Sequence, residues 1–220
     1  YGMHTQLWGM FFMPMALANG YRTLREGRGY FGAVALIAAT TLSHLVTGYI
    51  TFLSLGLLAL LSGNSLSMIG QNIKRLALIT LFVVIVISYF LLPYVLNSPY
   101  MNRSIWELTA KYDSYGYEWV INTLTQGELF DYERFPSLSI LLGLGFAVCV
   151  WHWHDEKYRI PVILFVAWLA LYFGRPTWGD WFELLPLSQD LHLHRFIAGV
   201  HFSGMLLVGI GLALPWQWAI

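Results

Sequence analysis

Charge is what this sequence has least of. Charged side chains make up 11% of its 220 residues, where a soluble domain carries roughly 25%. They are also confined to a few short stretches. Residues 1–21, 29–73, 76–102, 135–154, 160–174 and 196–220 contain no Asp, Glu, Lys or Arg. A soluble core has no use for six such windows. Cysteine is nearly absent: Cys149 stands alone in an apolar run, which excludes an intrachain disulfide. There is no Walker motif, nucleophile elbow, HExxH, CxxC or dinucleotide fingerprint. Twelve basic residues balance twelve acidic ones, so nothing in the bulk charge points to nucleic acid, and no nucleic-acid partner is expected.

What is present is apolar length. Hydrophobic residues reach 57% of the chain. A hydrocarbon core about 30 Å thick takes roughly 20 apolar residues as a helix, and most of the charge-free windows meet that length. Lipid offers the backbone no hydrogen bonds, so a spanning segment must be a helix or part of a closed barrel. These runs lack the alternation of a barrel strand. The expected fold class is therefore all-α, a polytopic transmembrane bundle of about seven helices, two of them short, with interfacial helices in the outer loops. The whole of 1–220 reads as one transmembrane domain. Because it opens on Tyr1 with an apolar segment already under way, it is expected to be a fragment of a longer chain.

The expected spans fall at about 3–19, 31–45, 49–62, 76–92, 136–151, 160–174 and 190–214. The apolar stretch 31–63 is too long for one untilted span. The polar break Ser43-His44 to Thr47-Gly48 divides it into two short helices, with a single tilted helix as the competing reading. Residues 62–76 read as a loop ending in Lys74-Arg75, and Pro93 as the stop of the span before it. Lys and Arg gather in cytoplasmic loops. With 19–30, 63–75 and 152–159 inside, Arg22, Arg25, Arg28, Lys74, Arg75, Lys157 and Arg159 face only Glu26, Asp155 and Glu156. The other side carries five basic residues against Glu107, Asp113, Glu118, Glu128, Asp131, Glu133, Asp180, Glu183 and Asp190. The inside is net +4 and the outside net −4. An integral multi-pass protein of the cell or inner membrane, with its active face extracytoplasmic, is expected.

The outer segments carry structure of their own. Ser104-Ile105-Trp106-Glu107 has the spacing of a capping box, and a helix over about 117–126 would end at Gly127. The segment 178–185 reads as an interfacial helix, with Trp178, Trp181, Phe182 and Leu185 dipping in and Asp180 and Glu183 facing out. The richest stretch enters the last span: Asp190-Leu191-His192-Leu193-His194-Arg195-Phe196. Ser188 or Asp190 would cap that helix and place Asp190 and His194 four apart on one face. An arginine with two histidines at headgroup level suits a phosphate or pyrophosphate, the guanidinium supplying a bidentate grip. The plainer reading is an interfacial anchor on a capped helix start. His44 would lie near the same level, either lining that site or making a structural hydrogen bond. His201 continues the His194 face into the apolar run. Asp131 and Glu133, two apart on a loop, have the hard oxygen ligands that a divalent cation takes. Asp113 has the chemistry of a general base but no motif around it.

These residues meet a family pattern. Gly127-Glu-Leu-Phe-Asp131-Tyr-Glu-Arg134-Phe-Pro136 precedes one span. Phe173-Gly-Arg175-Pro-Thr-Trp-Gly179 and Leu191-His192-Leu193-His194-Arg195-Phe196 precede another, and Thr41-Leu-Ser-His44-Leu lies in the short hairpin. Together they resemble the multi-span membrane proteins labelled "6-pyruvoyl-tetrahydropterin synthase-related", a label that does not describe pterin chemistry. That group looks related to the GT-C glycosyltransferases, polytopic enzymes that use polyprenyl-phosphate sugar donors on the outer or luminal face. The resemblance implies a polyprenyl-phosphate sugar donor and the surrounding membrane lipid as partners. It implies a lipid-phosphate site of Arg195, His192 and His194, with Arg175 and His44 lining the cavity; the divalent cation expected as cofactor rests on Asp131 and Glu133 alone. It carries over no catalytic carboxylate, because the loop that holds one in those enzymes would precede Tyr1. The rival expectation is a non-catalytic structural or accessory subunit of a larger complex, its aromatic-rich helices packed on membrane protein partners.

Overall fold

The computed structural model describes residues 3–63, 65–97, 100, 106–186 and 191–219, with side chains from His4 to Leu214. Among them the secondary structure is helical throughout, eleven α-helices and two 3-10 turns with no strand. The chain divides into two compact units, Tyr1–Ile105 and Trp106–Ile220; each is described by itself.

The first unit holds α1 (Met3–Glu26), α2 (Tyr30–Ser43), α3 (Leu45–Leu61) and α4 (Leu66–Leu96). The break inside 31–63 is one residue wide. His44 is extended at φ −158°, and its Nδ1 accepts the Thr47 N–H at 3.3 Å while lying 2.9 Å from Thr47 Oγ1. His44 thus caps α3, and it is 8% exposed. The Arg25 side chain, near the start of α2, donates to the Ser62 carbonyl at the end of α3. α3 therefore returns to the level where α2 began, and the two form a hairpin. A methyl on Gly48 would overlap Thr41, so glycine is what allows the turn to close.

Three boundaries differ from the sequence expectation. α1 runs on through Arg22 and Arg25, and the expected loop 19–30 shrinks to residues 27–29. α4 begins at Leu66, ten residues early, because Ser65 Oγ accepts the Met68 N–H at 3.3 Å and supplies a helix start. Pro93 does not stop α4. A proline costs the helix one N–H, but its carbonyl still accepts from the Asn97 N–H at 3.0 Å, and the helix ends at Leu96.

The second unit holds α5 (Thr109–Asp113), α6 (Tyr117–Thr125), α7 (Glu128–Asp131), α8 (Ser137–Trp151), α9 (Glu156–Tyr172), α10 (Arg175–Trp178) and α11 (Ile197–Ala219). A 3-10 turn over Gly179–Leu184 follows α10, and another over Leu193–Phe196 leads into α11. α6 lies where expected, and Gly127 closes it in the left-handed region at φ +82°. α8 and α11 cross so closely that a methyl on Gly145 would overlap the Leu207 carbonyl, and one on Gly211 the Leu141 carbonyl. Trp168, Phe196 and Leu193 are almost fully buried in the same unit. The Trp168 and Phe196 rings meet edge to face at 5.5 Å.

Among the described residues, two helices are long and apolar enough to cross a membrane: Leu66–Leu96 and the helical run Leu193–Leu214. The pair Glu156–Tyr172 and Arg175–Leu184, bent by 82°, makes a third if counted as one broken span. α4 exposes Leu81, Phe82, Ile85, Val86 and Tyr89, a surface that water does not suit and lipid does.

Candidate functional site

The residues entering the last helix gather with α5. The 3-10 turn Leu193–Phe196 changes the geometry expected from an α-helical start. His192 precedes the turn, and its carbonyl accepts the Arg195 N–H at 3.0 Å. The His192 ring lies flat on Tyr112, centroids 4.7 Å apart and 26° from parallel. Its Nε2 is 3.6 Å from a Glu107 carboxylate oxygen. The ring of His194 stands edge-on to His192 at 5.9 Å, and its Nδ1 meets the Lys111 carbonyl. That contact requires Nδ1 to carry the proton, which leaves Nε2 as an acceptor. Glu107 and Lys111, one helical turn apart, form an ion pair at 3.3 Å. The expected capping residues Ser188 and Asp190 lie outside the described residues, as do Ser104 and Ile105 of the expected capping box.

Arg175 sits at the start of α10 and donates to Asp113 at 2.9 Å, with both side chains largely covered. This pair is fixed by its backbone. Gly174 has φ +70° and passes so close to the Asp113 carbonyl that a methyl there would overlap it. Ser114 donates to the Tyr172 carbonyl, and the Tyr117 N–H donates to Thr177 Oγ1 at 2.8 Å. The cluster as a whole holds Lys111, Arg175 and Arg195 against Glu107 and Asp113. Burial pushes the His192 imidazole below its ordinary range, the Arg195 charge adds to this, and Glu107 opposes it. His192 therefore stays neutral near pH 7 and offers a hydrogen bond rather than a charge.

Asp131, read in the sequence as a cation ligand, is engaged as a helix cap. Its two oxygens accept from the Leu138 N–H at 2.9 Å, the Ser139 N–H at 2.9 Å and Ser139 Oγ at 2.7 Å, with Ser137 Oγ at 3.4 Å. It caps α8 from six residues before the helix, where Pro136 stands in the capping position without a side-chain acceptor. Tyr132 and Glu133 have φ +39° and +56°, and this left-handed pair folds Asp131 back over the helix start. Burial raises the Asp131 pKa, but the four hydrogen bonds outweigh it and hold the carboxyl below its usual range. Glu133 is exposed while Asp131 is 6% exposed. Among the described residues, no three His, Cys, Asp or Glu side chains gather as a metal-binding group.

His201, in the second turn of α11, accounts for a second feature. Its Nε2 donates to the Leu129 carbonyl at 2.9 Å, and its ring packs on Phe130 at 5.2 Å. It opens on a cavity of about 360 Å³ bordered by Trp119, Glu128 and Tyr132. Glu128 is exposed and has no side-chain partner among the described residues. The sequence singled out neither Lys111 nor Glu128, and read Glu107 only as part of a capping box. The four-residue spacing of Glu107 and Lys111 was the available signal for that pair.

Among the described residues the protein is all-α, with two or three helices able, by length and composition, to cross a membrane, and with an imidazole-bearing cluster that includes Lys111 and Arg195 at the entry to its last helix. Comparison with family models, curated proteins and solved structures gave no match.

Proposed function

We propose that this chain is a multi-pass membrane protein of the 6-pyruvoyl-tetrahydropterin synthase-related group, its seven longer helices crossing the bilayer. We further propose that it is a GT-C-like glycosyltransferase, or the membrane part of one, taking a polyprenyl-phosphate-linked sugar at the extracytoplasmic face. One observation carries the reading: the His192-Leu193-His194-Arg195 turn is held against α5 by the Tyr112 ring and the Lys111 carbonyl. That gathers Arg195, Lys111 and a neutral His192 at the start of an apolar helix, where a lipid phosphate would lie. Arg195 and Lys111 supply charge, His192 a hydrogen bond, and Arg175, tied to Asp113, a fixed edge.

Transfer requires the acceptor hydroxyl oxygen to bond to the sugar C1 as the C1–O bond to the phosphate breaks. The polyprenyl phosphate leaves with the electron pair, and the hydroxyl proton passes to a base. Glu107, Asp113 and Asp131 are all engaged. Glu128, exposed beside the His201 cavity and without a side-chain partner among the described residues, is the carboxylate we assign to that role; Glu133 and Asp180 are likewise without one but do not border that cavity. A divalent cation would act as counter-charge to the phosphate, and Asp131 and Glu133 are not its holders in this reading. His44 belongs to the first unit and serves α3 there.

The test is a titration of the purified chain with undecaprenyl phosphate. Arg195→Ala should weaken binding about tenfold or more, since hydrogen bonds to charged groups are worth roughly 1.5–3 kcal/mol. Unchanged affinity removes Arg195 from the site. The second reading, an accessory subunit, draws on the apolar face of α4, which a partner helix would cover as well as lipid does. Lipid-phosphate binding without sugar transfer by the purified chain would favour it.

A further inference from the structure

Four helix ends meet at one end of the first unit: the last turn of α1, the start of α2, the end of α3 and the start of α4. Arginine side chains tie them together. Arg25 donates to the Ser62 carbonyl. Arg75 Nη1 donates to the Leu24 carbonyl at 2.6 Å and to the Arg25 carbonyl at 3.0 Å. Asn72 Nδ2 reaches the Ala59 carbonyl at 3.3 Å and Ser62 Oγ at 3.4 Å. The Arg75 guanidinium lies against Gly27, which has φ +69° and where a methyl would come within 2.8 Å of Nη2.

Those contacts satisfy hydrogen bonds at helix C-termini, but carbonyls do not cancel a full charge. The only carboxylate here is Glu26, which meets Arg22 at 3.2 Å and Arg28 at 2.6 Å. Arg28 and then Arg22 hold it below the usual carboxylate range, so it stays ionised. Lys74 is exposed and has no hydrogen-bond or ion-pair partner among the described residues. Arg22, Arg25, Arg28, Lys74 and Arg75 against Glu26 leave a net charge of +4.

The position of this charge selects its partner. Lys74 and Arg75 immediately precede the charge-free run 76–102 of α4. Ile73 and Leu78, beside them on the same helix, are 46% and 45% exposed. A ligand for this surface therefore needs an anion joined to an apolar chain. A free phosphate offers the first without the second.

We propose that this end of the first unit binds anionic phospholipid, of the phosphatidylglycerol kind. Lys74, Arg22 and Arg28 supply the cations that face the headgroup, Arg25 and Arg75 are fixed by the scaffold and add to the field, and Ile73 and Leu78 take the acyl chain. The arrangement follows the general attraction of membrane-proximal basic clusters for anionic lipid, here with rigid rather than flexible cations.

The experiment uses the full chain in detergent, offered equal amounts of dioleoyl-phosphatidylglycerol and dioleoyl-phosphatidylcholine, with retained lipid read by native mass spectrometry. Phosphatidylglycerol should be retained in excess. K74Q/R28Q should lower the ratio at least about tenfold, each membrane-proximal cation being worth roughly fivefold. K74Q alone, which removes no internal contact, should lower it by about fivefold. K157Q, which removes a cation from the second unit, should leave it unchanged, and millimolar inorganic phosphate should not displace the lipid. Equal retention of the two lipids by the unsubstituted chain overturns the proposal. So does an unchanged ratio in K74Q and K74Q/R28Q, an equal fall in K157Q, or displacement by phosphate.

Discussion

The imidazole of His192 rests on the ring of Tyr112, 4.7 Å between centroids and 26° from parallel. Eighty positions separate them in sequence, and this contact, with the His194–Lys111 contact beside it, brings the mouth of the last helix to α5. An aromatic pair of this kind contributes about 0.5–1.5 kcal/mol beyond its buried area. Tyr112→Ala should therefore lower thermal stability modestly while weakening undecaprenyl phosphate binding, because His192 loses the surface that orients it. If Tyr112→Ala loses stability but keeps full affinity, the stack is structural only.

Asp131 carries a second prediction, with a pH dependence. Its carboxylate serves the first turn of α8, and loss of a helix N-cap costs about 0.5–2 kcal/mol. Asp131→Ala should lower the unfolding free energy by an amount in that range, with Asp131→Asn intermediate. The hydrogen bonds hold the folded pKa below its ordinary value near 3.8. The unfolded state therefore takes up the proton first as the solution is acidified. The Asp131 contribution is fully present above that ordinary value and is lost as pH falls through the lower folded pKa. The stability difference between the unsubstituted chain and Asp131→Asn should shrink over that interval. A difference that stays constant down to the lowest pH at which the chain remains folded would show that the carboxylate charge contributes nothing.

Asp131 also marks how far local pattern reached. Two carboxylates two apart on a loop read as cation ligands. What the pattern did not show is the helix cap, which depends on a turn through Tyr132 and Glu133 in the left-handed region, a conformation that neither residue type advertises. The break at His44 was legible because an apolar run too long for one span contains one polar patch, and the helix cap sits in that patch. Lys74 and Arg75 were read as loop because charge usually marks a membrane boundary. Here both residues lie inside a continuous helix, whose start is the Ser65 cap nine residues earlier than Lys74. The cluster His192, His194 and Arg195 was visible as neighbours in the chain. Its partners on α5 were not, because no periodicity links two segments eighty residues apart. Arg175 was placed at the phosphate by resemblance alone, and its ion pair with Asp113 depends on the close passage of Gly174 under the Asp113 carbonyl.

The crossing of α8 and α11 offers the sharpest test of packing. Small residues let two helix backbones approach closely and meet in van der Waals contact. Gly145 and Gly211 face each other's helix at separations that leave no room for a methyl group. Gly143, two residues from Gly145 on the same helix, has nothing within 4 Å of a methyl placed there. The two substitutions Gly145→Ala and Gly143→Ala therefore share helix propensity, each gaining up to about 1 kcal/mol from it, and differ only in the crossing. Gly143→Ala should leave the unfolding midpoint unchanged or raise it. Gly145→Ala should lower it, since forcing a methylene-sized group into a packed contact typically costs about 1–3 kcal/mol. Circular dichroism of the detergent-solubilised protein on heating measures both. Equal midpoints for the two variants would mean that α8 and α11 do not meet at Gly145.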